Sequence, residues 1–577
     1  MLSQREGWLR QALRRSNVIM IILFMLVSCG APPAQEIATD PPPAPQEEAT
    51  DAPTAEPEAP ETPQATRVET LRIGIFDDEA SLTPYTYITG FPGYYFLMLQ
   101  YDALYEIDED GVAQPWLVSE ADISEDGLTY TLDLRDDVSW HDGAPFTAED
   151  VQFTFEYYFE YPHVRWAQNL DGVTSTVAES PQRVVITLEE PNPSFILGGL
   201  ADVPIIPRHI WEDVTDPANH QFEGGINVGT GPYRLTGHET EQFYRFEAYD
   251  DYFAGEPQVT ELLLIQFADE TGGLAALRAN EVDMLARSVS PEQVDFLQSV
   301  DDLSILQGPL FVTHLLNFND QLPPFDQIPV RQAFALAIDR EELVNDIFLG
   351  TATAGNNGWI HPSSAVYEDA VETIYDPAQA REILDEIGIV DGDGDGIREF
   401  DGGPMSFEII VESSNPLRVR MAELISEMLL EVGIEATPLA LERGTAVEAI
   451  WPGFDVSQGR NYELSMFGWA ATVQVDPYRA PQLFHSDPAI GTFNVTGFAS
   501  EAADELMAQM DSAGDPEERE ALIKQLQVLI AEELPFVTLV YPDGIYPYRP
   551  AAYDNWSFVA GQGIVNKFSF LQEGARP

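Results

Sequence analysis

Between Ser406 and Leu439 the chain reads strand, helix, strand, and that order leaves few folds open. Ser406 to Val411 is a short apolar run with strand character. Asn415-Pro416 opens a long amphipathic helix carrying Leu417, Met421, Leu424, Ile425, Met428 and Val432, and Gly433 closes it. Ile434 to Leu439 is the next strand. Such a unit predicts a parallel pair joined by a right-handed crossover. It therefore predicts an α/β architecture in which helices cover a sheet.

Leu315 to Gly350 extends that reading. An apolar strand (Leu315, Leu316, Phe318) runs into a Pro323-Pro324-Phe325-Asp326 turn, and the following helix places Val330, Phe334, Ala337 and Ile338 on one face. Asp339 and Glu342 have the spacing of a capping box for a second helix, which buries Leu343, Val344 and Ile347 and stops at Gly350. Upstream, Leu71 to Ile75 alternates like a strand, and Asp126-Gly127 and Asp142-Gly143 are turns between further strands. Thr147, with Asp150 three residues on, caps a helix predicted to bury Val151, Phe155, Tyr158 and Phe159. Asp376-Pro377 starts another, with Ala380, Ile383, Leu384 and Ile387 inward, and Asp515-Pro516 a third that ends before Pro535.

At 577 residues the chain is too long for one core and predicts two or three lobes. The formal net charge of -69 excludes nucleic acid, because phosphate binding needs a basic stripe. Dense carboxylates suit a saline habitat, and base-composition bias with an acidic tether explains them equally well. Cys29 is the only cysteine, which excludes internal disulfides and thiolate zinc sites. It follows a basic segment from Arg5 to Arg15 and an apolar run from Val18 to Val27, so Leu26-Val27-Ser28-Cys29 resembles a bacterial lipobox closing a signal peptide over residues 1–28. Residues 29–67 are rich in Pro, Ala, Glu and Thr, with too little apolar surface to order, and are expected to be an acidic tether.

The chemistry-bearing motifs are few. Asp391, Asp393 and Asp395 alternate with glycines like the first half of an EF-hand loop, and Glu399 and Asp401 follow. Gly402 stands where the bidentate Glu would be, so a structural Ca2+ and a plain acidic turn both stay open. No cofactor is required by any motif. The sequence has no G-x-S-x-G elbow, no H-E-x-x-H and no Walker A segment, and no pair of its eight histidines has helical ligand spacing. Gly229-Thr230-Gly231-Pro232-Tyr233 reads as a tight turn, since no Lys-Ser/Thr follows it. Recognition must then come from aromatic loops: Tyr85, Phe91 and Tyr94 in the first long loop, Trp359 after the helical hairpin, and Phe467 to Tyr478. Each of these rings is by its type more often core than cleft.

Four segments together carry a family resemblance. They are Asn317-Phe318-Asn319 through Gly350-Thr351-Ala352; Leu134-Arg135, Trp140, Asp142-Gly143, Pro145 and Thr147 to Val151; Gly229 to Tyr233; and Gly468-Trp469. Taken in chain order they resemble family 5 of the solute-binding proteins of ABC importers, the peptide/nickel-type extracytoplasmic receptors. The resemblance implies a two-lobed, periplasmic-binding-protein-like α/β fold of type II, cluster C. Lobe I would comprise residues 68–102, 195–310 and 500–577, an extra subdomain 103–194, and lobe II 311–499. It implies a receptor lipid-anchored at Cys29 to the outer face of the cell membrane, facing periplasm or cell surface. The receptor would be a monomer that passes an oligopeptide, oligosaccharide or metal chelate to an ABC permease and ATPase complex. It also implies that Trp469 lines the cleft and that Thr472 stands where peptide-binding members carry an ammonium-holding Asp. Asp476-Pro477 matches the family's following acidic-Pro pair. Two other classes remain: a secreted hydrolase with a carboxylate pair in the cleft, and a calcium-dependent surface sensor built on the Asp391 loop.

Overall fold

The computed structural model describes residues 67–577 apart from 77, 79–81, 88–92, 110, 221–226, 372, 471–475, 514, 560, 573 and 575–577. The leader, Cys29 and the tether therefore lie outside the described residues. A 12-stranded mixed sheet runs through the molecule. At one end, Ser406–Glu412 pairs in parallel with both Glu435–Leu441 and Leu464–Phe467. The helix Pro416–Glu431 crosses between the first two of these strands, as the strand-helix-strand order requires. At the other end, Val68–Ile75 pairs in parallel with Val259–Gln266, which leads antiparallel into Phe243–Ala248 and Tyr233–Glu239.

One 13-residue strand, Phe536–Tyr548, joins the two ends. Its first half pairs with His314–Phe318 in the second lobe, and its last half pairs with Ser304–Pro309 in the first. The changeover falls at Pro542–Gly544, directly opposite the return of the other crossing segment after Pro309. This corrects one boundary: the helices Glu501–Ser512 and Pro516–Glu533 bury Met507, Met510, Ile523 and Ile530 in the second-lobe core. The chain thus returns to the first lobe about Pro542, not at residue 500. The extra subdomain is a four-stranded antiparallel sheet with helix Ala148–Glu160 against it, and its core runs from Tyr94 to Val214.

Local signals held where they were strongest. The Thr147 N–H bonds to Asp150 Oδ2 at 2.9 Å in a reciprocal capping box, and Asp339 Oδ1 accepts the Glu342 N–H at 3.0 Å. Gly229 and Gly231 press on the backbone at Leu99–Gln100 so tightly that a Cβ on Gly229 would stand 1.9 Å from the Gln100 carbonyl oxygen. That close approach makes the Gly-Thr-Gly turn a packing element. Two inward assignments fail: Phe159 is 48% exposed and Ile387 37% exposed. Phe159 lies in the last turn of Ala148–Glu160, and Ile387 is the C-cap that follows Pro377–Glu386.

Candidate functional site

A cavity of about 850 Å3, part of it open to solvent, lies where the second lobe meets the first lobe and its subdomain. The first lobe and subdomain supply Tyr94, Glu106, Arg165, Asp202 and Lys567; the second supplies Asp476 and Arg479. Three of these side chains are acids and three are bases. Their formal charges balance, unlike those of the chain as a whole, whose formal net charge is -69.

The bases are held by acids. Arg165 Nε donates to Asp202 Oδ2 at 2.7 Å, and its guanidinium lies 3.7 Å over the Tyr94 ring. Tyr94 Oη donates to the Asp202 backbone carbonyl at 2.8 Å, and Asn169 Nδ2 donates to Asp202 Oδ2 at 2.6 Å. Burial opposes charge on both partners, but the Arg165 attraction prevails and holds Asp202 below the usual carboxylate range. Lys567 Nζ donates to Asp102 Oδ1 at 2.6 Å and also to Glu106. Asp102 is wholly buried and accepts from Trp116 Nε1, Tyr252 Oη and Thr230 Oγ1 as well. Burial pushes Glu106 up to about 7, against the pull of the Lys567 ammonium.

On the facing lobe, Asp476 caps the short turn Pro477–Arg479 by accepting the Tyr478 N–H at 3.0 Å. Its Oδ2 stands 3.5 Å from Arg479 Nε with no hydrogen bond to any described residue. Burial raises the pKa of Asp476, opposed by Arg479. Arg479 also reaches a second cavity of about 570 Å3, lined by uncharged polar groups such as Asn192, Ser194, Gln482 and Tyr478. The pair of cavities offers ionic contacts on one side and amide and hydroxyl contacts on the other. None of this geometry marks a nucleophile with its base.

The expected site residues divide accordingly. Tyr94 and Asp476 line the first cavity and Tyr478 the second. Tyr85 instead packs against Tyr158 and Trp211 in the subdomain core, its hydroxyl donating to the Tyr161 carbonyl at 2.6 Å. Trp359 is 2% exposed and meets Phe484 edge-on. Trp469 is not among the cavity-lining residues: its ring stacks on Phe493 and meets Trp451 and Phe467 edge-on within the second lobe. Both tryptophans are buried in one apolar cluster of the second lobe, with Phe484, Phe498 and Phe536. Phe91 and Thr472 lie outside the described residues. Sequence reasoning missed Glu106, Arg165, Asp202, Arg479 and Lys567. Only Lys567 carried a signal, as one of two lysines in the chain.

The acidic turn lies apart from the cavity. Asp391, Asp393 and Asp395 are exposed, and one oxygen from each lies within 4.8 Å of the others, a spacing that fits cation–oxygen distances of 2.3–2.6 Å. Asp391 accepts N–H groups from Gly394 and Gly396, and Glu399 accepts that of Gly392, so Glu399 is turned toward the loop backbone. Asp401 stands in the β-turn beyond, with a positive φ.

The family model described as bacterial extracellular solute-binding proteins, family 5 Middle, matches residues 112–491. A Brucella ovis protein named as an ABC transporter peptide-binding protein is 30% identical over 333 residues, 57% of this chain and 60% of that protein. This chain thus spans about three-fifths of that relative's length. The oligopeptide-binding protein AppA of Bacillus subtilis is 26% identical over 426 residues, 72% of this chain and 76% of AppA. The crystal structure of NikZ from Campylobacter jejuni in complex with Ni(L-His) superposes with a TM-score of 0.67 at 25% identity, covering 83% of this chain and 94% of NikZ.

Proposed function

The chain belongs to family 5 of the bacterial extracellular solute-binding proteins, and from that premise we propose that it is the solute receptor of an ABC importer, working outside the cytoplasm. The carrying observation is the cavity between the lobes, walled by buried charges of both signs from both sides. A solute entering it would meet Arg165, Lys567 and Arg479 with its anionic groups and Glu106, Asp202 and Asp476 with its cationic ones. Lobe closure then buries the solute and alters the surface offered to the permease and ATPase complex, a ligand-driven population shift.

The solute is an oligopeptide or a comparably zwitterionic small molecule. Two relatives are named for peptide binding and a third was crystallised with a nickel–histidine complex, which keeps metal chelates within the same chemical range. The protein binds and releases its cargo unchanged. Lipidation at Cys29 anchors it, as a monomer, to the outer face of the membrane. Among the described residues no helix is long and apolar enough to cross a membrane.

Thermal melting with a panel of short peptides, Ni(L-His) and oligosaccharides tests the reading. One ligand class stabilises the protein, by about 2.7 kcal/mol at a hundredfold excess over Kd, and mass spectrometry recovers it intact. Turnover of a panel member would overturn it. As a separate part of the proposal, the Asp391–Asp395 turn takes a structural Ca2+ that stiffens the loop and plays no part in solute binding.

A further inference from the structure

One edge of the subdomain sheet is left without charge. Its four strands run in the order Val118–Ile123, Thr129–Leu134, Arg183–Leu188, Val173–Ser180, so the first and last of these are the edges. An edge strand presents unpaired N–H and C=O groups, and charged side chains are the usual guard against stray pairing. Val118–Ile123 carries Glu120 and Asp122, both exposed. Val173 to Ala178 carries no charge, although Asp and Glu number 97 in the chain. Val177 is 49% exposed there.

A groove of about 760 Å3, part of it open to solvent, runs beside that edge. Its lining includes five consecutive strand residues, Val173 to Val177. Neighbouring side chains of a strand point to opposite faces, so a groove that meets all five follows the edge of the strand, not one face of the sheet. Gln152, Phe155, Glu156 and Phe159 of Ala148–Glu160, at the spacing of a single helix face, make the other wall. The exposure of Phe159 follows from this: its ring borders the groove in place of the core. Gln152 Oε1 accepts the Ala178 N–H at 2.9 Å, which closes the edge at that end and leaves Val173–Val177 open. Thr176, 8% exposed, lines the groove with no hydrogen-bond partner for Oγ1 among the described residues.

We infer that this groove docks an extended segment of a partner protein, which joins the subdomain sheet as a fifth strand beside Val173–Val177. Main-chain hydrogen bonds to the edge supply affinity, and apolar side chains at alternate positions of the partner lie against Phe155, Phe159 and Val177. Glu156 is the one charged side chain of the lining among the described residues, and Gln152 Nε2 donates to its Oε1 at 2.8 Å. A Lys or Arg next to the apolar positions therefore completes the partner's chemistry. A second copy of this chain fits less well, because it brings the same Glu156 and a formal net charge of -69 to the contact. The groove shares no lining residue with the two cavities between the lobes, so the inference stands apart from solute binding.

Fluorescence anisotropy on the full chain tests this with a dye-capped heptapeptide amide, Lys-Val-Thr-Val-Thr-Val-Lys, and its equally charged counterpart, Lys-Val-Thr-Pro-Thr-Val-Lys. Proline removes a ladder donor and leaves the charge alone. The parent binds the first peptide saturably and the proline peptide about tenfold more weakly. Val177→Lys guards the edge, and Phe159→Ala removes a wall without altering charge; each weakens the first peptide about tenfold at an unchanged melting temperature. An excess of trialanine leaves the signal unaltered. Absence of binding overturns the inference, and so does equal binding of the two peptides, which simple attraction to an acidic surface would produce. Displacement by trialanine would put the peptide in the cleft and defeats it as well. Parental affinity in both variants has the same force, as does a dimer of the parent in sedimentation that Val177→Lys dissolves.

Discussion

Arg479 of the second lobe donates from Nη2 to Oδ1 of Asn169 in the first-lobe subdomain at 3.3 Å. Arg479 lines both cavities, and the contact ties the second lobe to the subdomain beside them. A hydrogen bond to a charged donor contributes on the order of 1.5–3 kcal/mol when shielded, and partial exposure of Arg479 places this one at the lower end. Asn169→Ala shifts the ligand-free protein toward an open form, read as a larger radius of gyration in solution scattering. An unchanged radius would show that the bond does not hold the lobes together.

Trp469→Ala acts first on stability. The indole is 7% exposed, and its backbone N–H is tied to Thr313 Oγ1 at 3.0 Å. Its loss leaves a void among Phe467, Trp451 and Phe493 that costs about 3–5 kcal/mol. Chemical denaturation shows this as a lower midpoint at unchanged slope. A variant of parental stability that had lost only solute binding would place the ring in the cleft instead.

What was legible in the sequence was local. The capping of Ala148–Glu160 by Thr147 and Asp150, the Asp339 cap and the strand-helix-strand unit are fixed by neighbours within a few residues, so their spacing reports them. The cavity is not local. Glu106, Arg165, Asp202, Asp476 and Lys567 come from five separate parts of the chain, and in so acidic a sequence a buried carboxylate looks like a surface one. Trp469 shows the opposite case: the loop was recognisable, but the packing of its ring depends on Phe493 and Trp451, supplied by other segments.

The acidic turn gives a prediction independent of the cleft. Calcium raises the melting temperature over that in chelator, and Asp391→Asn with Asp395→Asn abolishes the difference. Both states bind trialanine equally, because the loop lies apart from the cavity. A melting temperature indifferent to calcium would leave the loop closed by its own Gly394 and Gly396 amides.

Lys567 and Glu106 give the pH dependence. Burial raises Glu106 from its ordinary 4.5 to about 7, so the native protein binds this proton more tightly than the unfolded chain. A raised carboxyl contributes stability at low pH that is lost as pH rises from the unfolded value through the folded one. Relative to Glu106→Gln, the parent therefore loses stability between about pH 5 and pH 7 and keeps a constant difference above. Removing the ammonium is harsher. Lys567→Met strands the wholly buried Asp102 and costs about 3–5 kcal/mol at neutral pH. Its cost shrinks on acidification, as Glu106 takes up its proton. Urea midpoints across this range for the parent, Glu106→Gln and Lys567→Met decide the matter. A parent curve parallel to that of Glu106→Gln throughout would mean that Glu106 is already charged at pH 5 and that Lys567 dominates its environment.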